Sequence, residues 1–190
     1  MFYFIIFLLF TIPCVSQSDS SFTYKGMLRG TANFALGDMP QLNITNAYLT
    51  GNLEYYANKK ISIRGDNYLF LNSLTKNSIL QDNDAIYFGA FYHFLPNHHF
   101  DPLLGFQPGI SHTQISIPFS GLNEAAETTI CPLTSFVAGF NYFADQWFHF
   151  QLNIRYTIGE HLTTADETNI SEISFNFGLG FNINVLKKKK

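Results

Sequence analysis

The stretch Ser171–Leu186, SEISFNFGLGFNINVL, decides the fold. Its odd positions are Ile173, Phe175, Phe177, Leu179, Phe181, Ile183 and Val185, all apolar. Its even positions are Ser174, Asn176, Gly178, Gly180, Asn182 and Asn184, small or polar and uncharged. Successive side chains of a strand point to opposite faces, so this is a strand with one greasy face and one small polar face. A strand whose polar side meets water usually carries Lys and Glu there. Ser, Asn and Gly suit a crowded interior instead, and a Phe-rich outer face suits lipid and its aromatic girdles.

The pattern recurs upstream. WFHFQLNIRYTIG sets Phe148, Phe150, Leu152, Ile154, Tyr156 and Ile158 against His149, Gln151, Asn153, Arg155 and Thr157. Leu49, Leu53 and Tyr55 oppose Thr50, Asn52 and Glu54. Ile61, Ile63, Leu69 and Leu71 oppose Ser62, Arg64, Asp66 and Asn72. After Gln17 no segment keeps a helical period. Strands are expected over 24–36, 46–57, 61–72, 85–95, 103–117, 133–143, 147–159 and 171–186. The strand over 85–95 is apolar on both faces, and the one over 103–117 slips phase near Ser111–Gln114, which predicts a bulge there. The connections alternate between short ones, such as Asn58–Lys60 and Ala144–Gln146, and longer polar ones, such as SLTKNSILQDND and EHLTTADETNI. Even strand number and alternating connections predict an all-β fold: an eight-stranded antiparallel up-and-down transmembrane β-barrel with short periplasmic turns and longer outside loops.

Composition agrees. Charged residues make up 13% of the 190 residues and aromatic ones 17%, yet the mean hydropathy is only +0.04, because apolar and polar residues are interleaved. The exception is the start, MFYFIIFLLFTIPCVS. Its apolar run Phe2–Phe10 is too short for a spanning helix, which needs about 20 residues. It reads as a secretory signal peptide over 1–16, although no Lys or Arg precedes the run. The barrel then occupies 17–186, and 187–190 form a basic periplasmic tail. Pro13 before Cys14 fits a lipidation motif badly. If Cys14 leaves with the leader, Cys131 remains without an internal disulfide partner.

Few charged residues lie within the expected strands, and Arg29, Glu54, Arg64, Asp66 and Arg155 share the polar face. The turn at 58–60 sets Glu54 opposite Arg64 and Asn52 opposite Asp66. The same count at 144–146 sets Asn141 opposite His149 and Ser135 opposite Arg155. Charges in a narrow lumen demand partners. Eight strands leave an interior just wide enough for side chains to fill, so these residues are expected to plug the lumen rather than conduct through it. Phe148, Phe150, Phe175, Phe177, Leu179 and Phe181 are expected to face lipid. The long-connection side is acidic, with Asp38, Asp82, Asp84, Glu124, Glu127, Glu160, Asp166, Glu167 and Glu172 against Lys76, and these acids are expected in solvated outside loops. The other side carries Lys25, Lys59, Lys60 and Lys187–Lys190. No calcium-loop spacing appears, no basic stripe with interleaved aromatics suggests nucleic acid, and no cofactor or metal is expected.

Taken together, ISFNFGLGFNINV, WFHFQLNIRYTIG and the alternating connections resemble the small outer-membrane β-barrel superfamily of the OmpA/OmpX-like, eight-stranded kind. The resemblance implies an outer-membrane location, contact with membrane lipid and lipopolysaccharide, and insertion by the barrel-assembly machinery. Members often finish on an aromatic residue that this machinery reads, whereas Val185, Leu186 and four lysines follow Phe181 here. The expected role is a non-enzymatic envelope barrel, either a structural protein or an accessory subunit of a larger outer-membrane assembly. For a subunit, outward aromatics among Tyr87, Phe88, Phe91, Tyr92 and Phe94 would meet a protein partner. A narrow, porin-like channel or a transporter of small apolar ligands is the runner-up. A lipid A acyltransferase or deacylase fits less well: His98 and His99 lie at the short-turn end, His161 lacks a placed serine, and His112 in GISHTQIS lacks the deacylase's His-x-Ser arrangement.

Overall fold

A computed structural model of the chain describes residues 22–117, 125–162 and 167–185. The leader and the lysine tail lie outside the described residues. The strands are β1 (Met27–Met39), β2 (Ile44–Tyr56), β3 (Ile61–Ser73), β4 (Leu80–His93), β5 (Phe100–Ile117), β6 (Ala125–Phe143), β7 (Phe148–Leu162), β8 (Glu167–Asn169) and β9 (Glu172–Asn184). β1 to β7 pair antiparallel in chain order, and β9 pairs with both β7 and β1. That last pairing closes the sheet, so no edge is left in the barrel wall. β8 is a three-residue extension that pairs with the end of β7, Glu160 opposite Asn169, beyond the start of β9. The closed wall therefore has eight staves, β1–β7 and β9.

Alternation sets the wall's two faces. In β9, Phe175 and Phe177 are each 54% exposed on the outside, whereas Ser174 and Asn176 between them are 1% and 2% exposed. The register of β2 with β3 is as expected, with Glu54 opposite Arg64 and Asn52 opposite Asp66. The register of β6 with β7 is not. Asn141 pairs with Gln151 and Ser135 with Thr157, two residues away from expectation. The reason lies in the connection: the first pair is Phe143 with His149, so Trp147 and Phe148 both lie between the paired residues, and the Trp147 indole Nε1 donates to Asp145 at 2.8 Å while its ring stacks on Phe181.

The phase slip expected in β5 is also absent. Gln107, Ser111, Thr113 and Ile115 stay inward, and Phe106, Ile110 and His112 outward. What changes is composition, because an apolar residue turns inward and polar ones outward near the end of the strand. The irregularity sits in β4, between Leu80 and Asp82, and another in β3 leaves Leu71 unopposed between Ala47 and Tyr48. After that bulge Asn72 is exposed rather than inward.

Two of the connections expected to be long are short as well. β1 and β2 are joined by 40–43 and β3 and β4 by 74–79, against 57–60, 94–99 and 144–147 at the opposite end. Asn43 and Asn77 take the positive φ that these two turns need, at 54° and 60°. The strands run on because their inner faces at this end are apolar. Met39, Ile44, Leu80, Ile115, Leu133 and Ile170 form one buried cluster with Tyr48 and Cys131, sealing the loop end of the lumen. At the short-turn end the mouth is covered from within the chain. Phe22 packs on His99 and Phe143, and Thr23 donates to the carbonyls of Lys59 and Pro96 at 3.0 Å each.

Candidate functional site: the barrel interior

Between these two closures the lumen holds three polar tiers. The tier nearest the short turns is built on β1–β5. Arg29 Nη1 donates to Glu54 Oε2 at 3.1 Å, and Arg29 Nη2 donates to the Tyr56 hydroxyl. His93 is clasped between two carboxylates, its Nε2 3.0 Å from Glu54 Oε1 and its Nδ1 2.6 Å from Asp101 Oδ2. A ring that serves both acids donates from both nitrogens. Its charge and that of Arg29 then balance Glu54 and Asp101, as burial of four ionic groups requires. The arrangement superficially matches a Ser-His-Asp triad, since Ser62 Oγ lies 3.0 Å from His93 Nε2. It is not poised for catalysis. The Ser62 hydroxyl donates to Glu54 rather than to His93, and all of these groups are fully buried.

The middle tier centres on Asp66. Arg64 Nε pairs with Asp66 Oδ1 at 3.0 Å, and Arg155 Nη2 pairs with Asp66 Oδ2. Arg155 spends its remaining donors on Tyr68 Oη (3.0 Å), Ser135 Oγ (2.7 Å) and Gln107 Oε1 (2.7 Å). Aromatic rings cover the guanidiniums, with Arg64 Cζ 3.7 Å from the Phe91 centroid and Arg155 Cζ 4.1 Å from that of Tyr87. This explains why β4 is apolar on both faces: Tyr87 and Phe91 supply π-faces to buried cations, while Ile86, Phe88 and Tyr92 form the outside. Beside this tier Asn52 Nδ2 donates to Gln151 Oε1 at 2.9 Å, and Gln151 Nε2 to Asn141 Oδ1 at 3.2 Å. Under the apolar seal lies the third tier, where Glu172 Oε2 accepts from Tyr48 Oη at 2.6 Å and from Asn46 Nδ2 at 3.2 Å.

All five charged residues singled out in the sequence, Arg29, Glu54, Arg64, Asp66 and Arg155, are buried within the barrel. They divide between two tiers rather than forming one network, and the partner of Glu54 is Arg29 across the β1–β2 ladder, not Arg64. Arg155 reaches Ser135 after all, diagonally, although Thr157 is the residue directly opposite. His93, Asp101 and Glu172 were not foreseen in this role. Asp101 falls in a segment that reads as a turn, and Glu172, at the start of the strand expected over 171–186, counts among the acids of the long-connection side. Parity could have placed both, since Asp101 is in phase with Leu103 and Gln107, and Glu172 with Ser174 and Asn176. The remaining histidines are dispersed. His112 is half exposed, 3.6 Å from Asp82; His161 is buried beside Thr113 and Cys131; His149 faces Thr31. The six residues expected to face lipid lie on the outer surface of β7 and β9, Phe148 half-buried beneath Trp147 and the others exposed.

Glu54→Gln keeps the shape and a hydrogen-bond acceptor but removes the charge opposite Arg29 and His93. It is expected to cost about 2 kcal/mol, in the range for hydrogen bonds to charged groups, measured by urea unfolding of the reconstituted protein.

A closed antiparallel sheet of eight staves, greasy outside and polar within, is the fold of the small transmembrane β-barrels. Solved structures share it. The chain is similar to OprG of Pseudomonas aeruginosa (TM-score 0.63, 12% identity, covering 87% of this chain and 100% of that one). It is also similar to the N-terminal β-barrel domain of Pseudomonas aeruginosa OprF (0.60, 14%, 84% and 98%) and to Neisserial surface protein A (0.56, 16%, 83% and 96%). At such identities the likeness is one of fold. No protein-family model matches the chain, and no curated protein does.

Proposed function

We propose that this protein is a non-enzymatic outer-membrane barrel whose lumen is plugged by its own side chains. It serves as a structural element of the envelope or as an accessory subunit of a larger outer-membrane assembly. The observation that carries this reading is the filling of the lumen along its length: three hydrogen-bonded tiers, an apolar seal at one end, and Phe22 with Thr23 across the other. The outer surface, with Phe88, Phe106, Phe136, Phe150, Phe175 and Phe177 exposed, suits acyl chains, and Trp147 stacked on Phe181 suits a girdle at the short-turn boundary. In this reading the termini are periplasmic and the acidic end is extracellular, against lipopolysaccharide. The barrel-assembly machinery inserts the chain, and a protein partner, where one exists, docks on outward aromatics.

Planar-bilayer recording of the full protein tests the plug. No steady single-channel current is expected. Sustained ohmic conductance from the unaltered protein would overturn the plugged reading in favour of a narrow channel.

A further inference from the structure

The arginines and lysines of this chain do different work. Arg29, Arg64 and Arg155, its only arginines, are all buried in the lumen. Lys25, Lys59 and Lys60 are all exposed, at the short-turn end. The fold draws these three together. The Gly26 N–H donates to the Tyr56 carbonyl at 2.9 Å, and the Gly26 carbonyl accepts from the Val185 N–H at 3.1 Å, so the backbone beside Lys25 is held between the ends of β2 and β9. Two residues before Lys25, the Thr23 hydroxyl donates to the Lys59 carbonyl at 3.0 Å. The Lys60 N–H donates to Asn58 Oδ1 at 2.7 Å, and its carbonyl accepts from the His93 N–H at 2.8 Å. The backbone under the three lysines is therefore tied down, while none of their ammonium groups forms an ion pair with a described residue.

The charge is also uneven around the rim. Where β9, β1, β2 and β3 end it is positive, whereas the β6–β7 turn carries an exposed acid, Asp145. On the positive side the neighbouring outer residues are apolar or aromatic: Tyr55, Ile61, Ile183 and Val185 are all exposed. Lysines at the edge of such a face lay their stems along it and hold their ammonium groups in the polar layer beyond. In a bilayer that layer contains the lipid phosphates.

We propose that Lys25, Lys59 and Lys60 form a docking surface for the head group of an anionic phospholipid, with its acyl chains against Ile61 and Ile183. A zwitterionic lipid carries its own ammonium group, which competes with the lysines for the phosphate. A net-negative head group has no such competitor. The inference needs only that the barrel be embedded in lipid, and it stands apart from the plugged lumen.

The test uses the full protein in phosphatidylcholine nanodiscs. A trace of phosphatidylglycerol, nitroxide-labelled near the glycerol end of one acyl chain, is the probe, and phosphatidylcholine labelled in the same way is its counterpart. Methyl resonances of Ile61 and Ile183 report proximity, with Leu104 on the outer face of β5 as the reference. The anionic probe should broaden Ile61 and Ile183 about fivefold more than its counterpart does, the factor expected for one engaged lysine, and Leu104 about equally. Lys25→Gln/Lys59→Gln/Lys60→Gln should bring Ile61 and Ile183 down to the ratio at Leu104. This variant keeps Lys187–Lys190, and its substituted side chains are exposed, so its fast-migrating band on unheated SDS gels should be that of the parent. Millimolar glycerol 3-phosphate should leave the parent's ratio unchanged, because only the lipid is concentrated at the membrane. Equal broadening by the two probes at Ile61 in the parent, or a ratio that survives the triple substitution, would overturn the proposal. Displacement by glycerol 3-phosphate would make a soluble phosphate ester the ligand and overturn it too.

Discussion

Asp66→Ala is expected to destabilise the barrel by about 3–5 kcal/mol, the cost of breaking a buried ion pair by removing one partner. Asp66 is the carboxylate shared by Arg64 and Arg155 in the middle tier. Its loss leaves two guanidiniums facing one another among Tyr68, Tyr87 and Phe91, and a lumen filled with side chains gives them little water. Total stability of a domain this size is of the order of 5–15 kcal/mol, so the loss is a large fraction. The triple variant Asp66→Leu, Arg64→Met, Arg155→Met should recover much of it, because apolar groups of similar volume can replace buried charges at little cost. The comparison is urea unfolding of the reconstituted protein, followed by circular dichroism. If Asp66→Ala unfolds at the same urea concentration as the parent, the middle tier does not hold the barrel.

Gly178→Leu should prevent closure outright. Gly178 lies on β9 opposite Asn33 of β1, in the ladder that joins the last stave to the first. A Cβ there would fall on the Asn33 side-chain oxygen and the Ala32 carbonyl oxygen. The Ala32 atom is backbone, fixed by the sheet, so relief requires that the seam part. A leucine adds three more carbons to the same space, and overpacking of this kind costs about 1–3 kcal/mol even where neighbours can shift. Here they cannot, and the expected result is loss of the compact, fast-migrating band on unheated SDS gels. Gly30→Ala is the control: a Cβ at Gly30 meets nothing within 4 Å, and its band should be unchanged. Equal behaviour of the two variants would contradict the seam's tight approach.

Much of this was legible in the sequence, for a definite reason. A membrane barrel inverts the usual burial rule at every second residue, and Ser171–Leu186 carries that inversion undiluted. Strand number, the inner position of the five charges and the β2–β3 register all follow from parity and one short turn. Legibility failed where composition and geometry part company. At the loop end the inner face turns apolar, so Met39, Ile44 and Leu80 read as loop although they are core, and strands were cut short. Glu172 read as a solvated acid although Tyr48 and Asn46 hold it inside. The β6–β7 register failed by two because Trp147 and Phe148 both lie between the paired Phe143 and His149, which no period-two count reveals. The division of the charges into tiers depends on which neighbour each long side chain leans toward. Arg64 leans toward Asp66 on its own strand, two residues on, and leaves Glu54 to Arg29 and His93.

The most direct test of the central claim is the environment of the odd face of β9. Single cysteine-linked nitroxides at Phe175, Phe177, Leu179 and Phe181, in the protein reconstituted into phosphatidylcholine vesicles, report collision with oxygen and with a water-soluble nickel chelate. Oxygen concentrates in hydrocarbon and the chelate in water. A lipid-embedded barrel predicts high oxygen and low chelate accessibility at all four sites, with oxygen highest toward the middle of the strand. High chelate accessibility at Phe177 and Leu179 would place this face in water and contradict the membrane barrel.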